Sequence, residues 1–257
     1  MVNRRILALG CHPDDIEFMM AGTLFLLKAV GCELHYMNIA NGSCGTTELS
    51  IDDIVRIRRA ESENAALLLG ATYHVSLVSD LEVFYHRDLI RRVTAILREI
   101  DPDILLLPAI IDYMEDHMNT ARIGVTAAFC RGMPNFPTDP DMPPVYRDIA
   151  VYHAMPYGLR DGLGRIIRPS FTVDIGSVIG RKEEMLSCHE SQKKWLDESQ
   201  GIRSYINIMI DMAKQVGEMS RSQKYAEGWQ KHYHLGYSTE KVSYLEDLLR
   251  KDIRNLD

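Results

Sequence analysis

Two short stretches carry the residue types that do chemistry: His12-Pro13-Asp14-Asp15 and, about a hundred residues later, Asp112-Tyr113-Met114-Glu115-Asp116-His117. Each sets an imidazole beside carboxylates. Imidazole nitrogen and carboxylate oxygen are good zinc ligands, and three protein ligands leave a fourth position open for water. Such a metal lowers the pKa of its water to about 7, and a carboxylate outside the coordination sphere can take the proton as general base. Asp14 and Asp15 are adjacent, so their side chains diverge, one toward a metal and one toward a water; spacing alone leaves open which does which. The plainer explanation is a turn with an aspartate helix N-cap at the first stretch and a capping or surface pair at Asp116-His117. Coincidence of both clusters at one crevice favours the metal.

The surrounding pattern supplies that crevice. Arg4–Cys11, Glu33–Ile39, Thr72–Val78 and Asp103–Leu107 are short apolar runs of the kind that form buried parallel strands. Between them, Met19–Val30, Ile51–Leu69 and Asp88–Ile100 have helical spacing, with Gly31 and Gly70 as stops, and a helix from Met118 to about Cys130 follows. Strands alternating with such helices imply right-handed crossovers and a Rossmann-like parallel sheet with flanking helices. In the order 3-2-1-4-5, strands one and four are neighbours, and ligands bind where their following loops diverge. Both clusters follow those strands. Gly132–Pro144 reads as a long loop, Ile149–Met155 and Phe171–Ile175 as strands, and Ser177–Trp195 and Tyr205–Met219 as helices. The tail from Ser220 shows no clear period, so the C-terminal portion is expected to be irregular. The expectation is one domain over residues 1–257, with a sheet core at 1–131 and a C-terminal extension at 145–257.

Composition narrows the function. A net charge of −7 over 257 residues gives no basic stripe for nucleic acid or an anionic membrane. No apolar run approaches the roughly 20 residues of a membrane span. Five cysteines without regular spacing form no disulfide framework, and Cys11, Cys32 and Cys130 read as core thiols, so a cytoplasmic location is expected. Asn41–Gly45 lacks the Gly-Lys-Ser/Thr of a phosphate loop and reads as a turn. Gly158–Gly164 lacks the strand-to-helix context of a dinucleotide site, and Arg160, Arg165 and Arg168 read as solvated loop charges. His189 is expected in an interhelix hydrogen bond.

The motifs resemble the LmbE-like, or PIG-L, family of zinc-dependent N-deacetylases. The resemblance runs through His12-Pro13-Asp14-Asp15 with Glu17 and Gly22-Thr23, then Arg58 and Glu61 in a helix ending at Leu69-Gly70. It continues through Pro102-Asp103 and Asp116-His117 and, more loosely, Tyr225-Ala226-Glu227-Gly228. It implies His12, Asp15 and His117 as ligands of zinc, with iron(II) or cobalt(II) as alternatives, Asp14 as general base, and Arg58 as a pocket residue binding substrate. The plainer role for Arg58 is a helix-surface partner of Glu61. The implied substrate is an N-acetylated amino sugar such as an N-acetylglucosamine conjugate, and the implied assembly a homo-oligomer, trimer or hexamer.

One position departs. Where the family has a histidine that stabilises the oxyanion and protonates the leaving amine, this chain has Met114, with Glu115 in place of the following proline. A thioether donates neither hydrogen bond nor proton. Tyr113, His153, His232 and His234 are the candidates to stand in, Tyr113 and His153 as substrate-facing groups, and Asp116 is expected behind the ligands, orienting one of them. Two further readings follow from Met114: a non-catalytic metal- or carbohydrate-binding protein, or a hydrolase of another amide or ester.

Overall fold

The computed structural model describes residues 4–193 and 205–256. Five strands, β1 (Arg5–Gly10), β2 (Glu33–Asn38), β3 (Thr72–His74), β4 (Ile104–Leu107) and β5 (Ala150–Ala154), run parallel in the order β3-β2-β1-β4-β5. The sheet then continues antiparallel through β7 (Ala226–Lys231), β6 (Phe171–Asp174) and β8 (Ile253–Asn255), making eight strands.

Alternation along β1 shows why its apolar run is unbroken. Ile6 and Ala8 enter a core shared with α2 (Ala21–Ala29) and α3 (Ile51–Leu69), while Leu7 and Leu9 enter one shared with α4 (Arg87–Ile100) and α5 (Glu115–Cys130). Successive side chains of a strand point to opposite faces, and here both faces are covered. Helix α3 is fixed at both ends as its sequence suggests: the Ser50 side chain accepts from Asp53 N at 3.2 Å, and Gly70 closes it at φ +71°.

The Rossmann-like parallel half is as expected, and the differences lie at element ends. A short α1 (Asp15–Met19) starts inside the first cluster, and Met20, at φ −130°, separates it from α2. Helix α5 starts at Glu115, three residues before the expected Met118, because Glu115 and Asp116 suit the positive end of the helix dipole. The third strand stops at His74, leaving an isolated bridge between Ala40 and Val78. The expected helix Ser177–Trp195 is α6 (Ile179–Leu186) and, after a break at 187–189, a helical stretch over the described residues 190–193; Trp195 lies outside the described residues. Further elements among the described residues are α7 (Tyr205–Ser220), α8 (Tyr244–Leu248) and a 3-10 turn at Tyr157–Leu159. No helix of the described residues is long and apolar enough to cross a membrane.

The tail holds more regular structure than its pattern suggested. Strand β7, read as Ala-Glu-Gly-Trp-Gln-Lys, sits inside the sheet although it carries two charges and a glycine. Glu227 is buried because it has partners. Its carboxylate accepts the Gly22 and Thr23 amides at 2.8 and 2.7 Å and pairs with buried Lys182 at 2.5 Å. Next to it, Trp229 Nε1 donates to Thr23 Oγ1 at 3.0 Å. These bonds clamp the C-terminal strands to the start of α2, directly behind the first cluster. Removing one partner of a buried pair strands the other charge, at about 3–5 kcal/mol. Glu227→Ala is therefore expected to lose that much in urea denaturation, and Glu227→Ala with Lys182→Met to regain most of it. A loss under about 1 kcal/mol in the single variant would remove the clamp from the account.

A candidate metal and base centre

The loop after β1 is folded around its own carboxylate. Asp15 Oδ2 accepts the Cys11 and His12 amides at 3.1 and 2.8 Å, and Asp15 N donates to His12 O at 3.2 Å. That turn drives Asp14 to φ +107°, a left-handed conformation that is costly outside glycine and turns its side chain away from Asp15's. The second cluster enters from the first turn of α5. His12 Nδ1 lies 3.3 Å from His117 Nε2, and Asp15 Oδ2 lies 3.7 and 3.4 Å from those two nitrogens. Together the three form a compact triangle of donor atoms.

This triangle fits a metal ion. A tetrahedral ion with bonds of about 2.0–2.2 Å separates its ligands by roughly 3.3–3.6 Å. The outward nitrogen of each imidazole meets a carboxylate: His117 Nδ1 faces Asp112 Oδ1 at 3.2 Å, and His12 Nε2 faces Asp116 Oδ2 at 3.2 Å. Those carboxylates are themselves anchored, Asp112 by the Met114 amide at 3.0 Å and Asp116 by the Leu81 amide at 2.7 Å. Carboxylates behind ligating histidines fix ring orientation and raise basicity. Charge points the same way. Burial disfavours protonation of His117, yet Asp15 and Asp112 raise its pKa; burial likewise opposes protonation of His12, which Cys11, Asp116 and Asp15 hold well above the usual value. Burial would lift Asp15, but His117 and His12 hold it far below the normal carboxylate range. The cluster calls for positive charge.

A second donor group, Cys11, His12 and Asp116, shares His12 through its other nitrogen. It suits an ion less well. Cys11 is fully buried, and burial pushes its thiol up to about 11, away from the thiolate a metal needs. Neither Cys11 nor Asp116 reaches the cavity, whereas His12, Asp15 and His117 all line it.

That cavity, about 450 Å³, also contains Asp14. Burial raises the Asp14 carboxyl to about 6, Arg58 opposing and Asp15 adding to the rise. Tyr205 donates to Asp14 Oδ2, and Arg58 Nη2 lies 3.5 Å from Oδ1. Arg58 is 3% exposed and lines the cavity, where it donates to Pro13 O and, at 3.5 Å, to Gly42 O. Glu61 is not its partner, for both Glu61 oxygens accept from Ser191. The loop Asn41–Gly45 wraps the guanidinium: a Cβ on Gly45 would lie 2.4 Å from Nη1. Asp80 staples that loop by accepting the Gly42 and Cys44 amides at 2.7 and 2.9 Å.

The other expected residues divide. Tyr113 lies at the rim, its ring edge-on to His117 with centroids 5.9 Å apart. Met114 also lines the cavity. His153 does not reach it: the ring is 1% exposed in β5, Nδ1 facing Pro108 O at 2.9 Å and Nε2 facing His232 Nδ1 at 3.1 Å. The expectation of a substrate-facing His153 fails because β5 points that side chain behind the cavity wall. His232 is spent on the same pair, and His234 lies in the turn beyond β7. Asp112 and Tyr205 are the contributors sequence reasoning left without a role. Asp112 stood inside the second cluster, five residues before His117, whereas Tyr205 meets Asp14 across 191 positions with no local signal.

The molecule is thus an α/β protein whose parallel strands converge on a buried His/carboxylate centre with the donor set of a candidate metal site. Residues 7–128 match the family model described as PIG-L: GlcNAc-PI de-N-acetylase, so the resemblance read from the motifs stands. The chain is 27% identical over 196 residues to the diacetylchitobiose deacetylase of Thermococcus kodakarensis, covering 74% of this chain and 70% of that protein. The N,N'-diacetylchitobiose deacetylase of Pyrococcus horikoshii, solved with an inhibitor, superposes with a TM-score of 0.75 at 26% identity, over 95% of this chain and 89% of that one. GalB, the 4-carboxy-2-hydroxymuconate hydratase of Pseudomonas putida, shares the fold at a TM-score of 0.76 and 20% identity, over 93% of this chain and all of that one. The fold alone therefore does not dictate the reaction.

His153 gives the region a pH dependence of stability. Burial pulls its pKa down to about 4, opposed by the Pro108 carbonyl and reinforced by His232. An unfolded histidine binds its proton near pH 6.5. Below that pH the unfolded chain takes up a proton that the folded chain refuses. The stability from neutral His153 is thus intact above about pH 7 and falls toward pH 4, by about 1.4 kcal/mol per pH unit. Urea denaturation at pH 7.5 and 5 is expected to show a loss about 2 kcal/mol larger for the parent than for His153→Gln. Equal losses would mean that His153 does not set the slope.

Proposed function

We propose that this chain is a metal-dependent hydrolase that removes the acetyl group from an N-acetylated amino sugar or its conjugate. The observation that carries the reading is the triangle of His12 Nδ1, Asp15 Oδ2 and His117 Nε2 opening on the same cavity as Asp14. His12, Asp15 and His117 would hold the ion, zinc in the first instance, with iron(II) and cobalt(II) served by the same donors. Bound there, it would supply a Lewis acid for an amide carbonyl and for water. Asp14 is the base. Its Oδ2 is occupied by Tyr205, so Oδ1, 3.5 Å from Arg58 Nη2, is the oxygen that takes the proton of the attacking water. Water adds to the acetyl carbon, the C–N bond breaks, and Asp14 Oδ1 returns the proton to the departing amine, giving acetate and a free amino sugar. Burial favours the protonated form of this carboxyl, which aids the return of the proton. Asp112 and Asp116 hold the two imidazoles in register, and Arg58 faces the substrate from the floor of the site.

Family resemblance and the deacetylase relatives support the substrate class, and the five free cysteines fit a cytoplasmic location. A homo-oligomer, trimer or hexamer, belongs to the same reading, and light scattering tests it. Met114 favours a second reading, a binding protein that has lost catalysis, since the cavity has a thioether where an acid would serve.

Acetate release from a panel of N-acetylated sugars by the zinc-loaded protein separates the two. Asp14→Asn is expected to lower turnover at least 100-fold with metal stoichiometry unchanged; undiminished turnover would sink the base. Tight metal binding without turnover on any sugar would leave the binding reading in place. Asp112→Asn is expected to weaken zinc about 10–100-fold in competition with a chromogenic chelator. An unchanged affinity would mean that the Asp112 charge does not support His117 as a ligand.

A further inference from the structure

The cavity wall between the proposed ligand His117 and the proposed base Asp14 is a continuous arc of aromatic rings, three of them tyrosines. Tyr113 stands edge-on to His117, and its centroid is 6.0 Å from that of Tyr157. Tyr157 packs on Phe18 at 5.3 Å, Phe18 packs on Tyr205 at 5.4 Å, and Tyr205 reaches Asp14. Methionines 19, 20, 114 and 155 line the same cavity. Most charged side chains there are already engaged, while Gln192 Oε1 is left unpartnered among the described residues. Asp80 holds the Gly42–Cys44 loop, Asp112 holds His117, and Arg58 holds Pro13, Gly42 and Asp14. At the rim the apolar surface continues: Leu81 and Tyr113, which line the cavity, are 62% and 56% exposed, and Ile111, beside lining residue Asp112, is 57% exposed.

We propose that the substrate carries an apolar substituent of several carbons beside the scissile amide, seated on the Tyr113–Tyr157–Phe18–Tyr205 wall. This rests on the hydrolase reading and narrows its substrate. A two-carbon acetyl group on a polar sugar leaves such a wall facing water or hydroxyls, while a substituent of four or more carbons buries it. The cavity size falls within the roughly 300–1,000 Å³ of small-molecule sites, which are mostly apolar with a few placed polar groups. Two sources supply the chemistry: an acyl chain longer than acetyl, or an apolar aglycone on the amino sugar. Hydrolysis is the same in both. Water adds to the acyl carbon, the C–N bond breaks, and carboxylate and amine leave.

The zinc-loaded full chain is assayed for amine release on N-acetyl-, N-butyryl- and N-hexanoylglucosamine, and on the hexyl glycoside of N-acetylglucosamine. Each methylene buried is worth about fourfold, so at least one extended arm is expected to exceed N-acetylglucosamine in kcat/KM by tenfold or more. The arm that responds names the source. Tyr113→Ser, a change at an exposed ring, is expected to shrink that ratio at least threefold. Dissociation constants of the same series with zinc-loaded Asp14→Asn are expected to rank the ligands in the same order, so the preference is read even without turnover. N-acetylglucosamine equal to or better than both arms, in turnover and in binding, overturns the proposal and leaves the deacetylase reading intact. Absence of amine release with the apolar ligands still bound more tightly strikes the hydrolase reading and leaves the apolar seat.

Discussion

Everything at this centre follows from the cost of burying His12, His117, Asp15, Asp112 and Asp116 together. Three carboxylates and two imidazoles out of water are tolerable only if each charge has a partner. Asp112 and Asp116 occupy the outward nitrogen of each ring, and this determines the rest. With those nitrogens engaged, His12 Nδ1 and His117 Nε2 can turn only toward one another and toward Asp15 Oδ2. The pairing that makes burial affordable also aims three donor atoms at one point. It leaves an excess of negative charge that a divalent cation would neutralise.

The scaffold delivers these groups with few independent devices. Adjacency of β1 and β4 brings loops about a hundred residues apart to one end of the sheet. The turn that ties Asp15 back to the His12 and Cys11 amides also forces Asp14 into the left-handed region, so the proposed ligand and the proposed base separate through backbone geometry rather than sequence distance. Strain of this kind persists only where surroundings over-determine it. Here the constraints are the Arg58 bond to the Pro13 carbonyl and the Tyr205 bond to Asp14. Behind them, Glu227 ties β7 to α2.

Much of this was legible in the sequence because its signals are local or periodic. The five parallel strands read as apolar runs, α3 carried Ser50 and Gly70 at its ends, and both clusters could be placed by strand order alone. What escaped has physical reasons. Strand β7 hid because Glu227 and Lys231 break the apolar pattern that pairing with Lys182 and with residues near α8 makes affordable. Helix α5 began early because charges at a helix N-terminus count as stabilising, while a search for apolar spacing ignores them. His153 misled because a histidine in a strand gives no sign of which face it takes. Tyr205 could not be found at all, since nothing within its own helix marks the ring that meets Asp14.

Met114 and the apolar wall are two faces of one choice. A histidine at that position would place a hydrated polar group on the cavity surface, and any apolar substituent seated nearby would have to desolvate it without offering a partner. A thioether removes that penalty and adds a polarisable surface that adapts to an alkyl chain. The exchange gives up a proton donor, so under the proposed hydrolysis the proton for the leaving amine would come from a group already in the site. In the proposed reading Asp14 is that group, facing the same cavity as the three donor atoms, and its burial favours the protonated form. A drier pocket strengthens this arrangement, because the desolvation that favours an apolar substituent is the same force that raises the carboxyl.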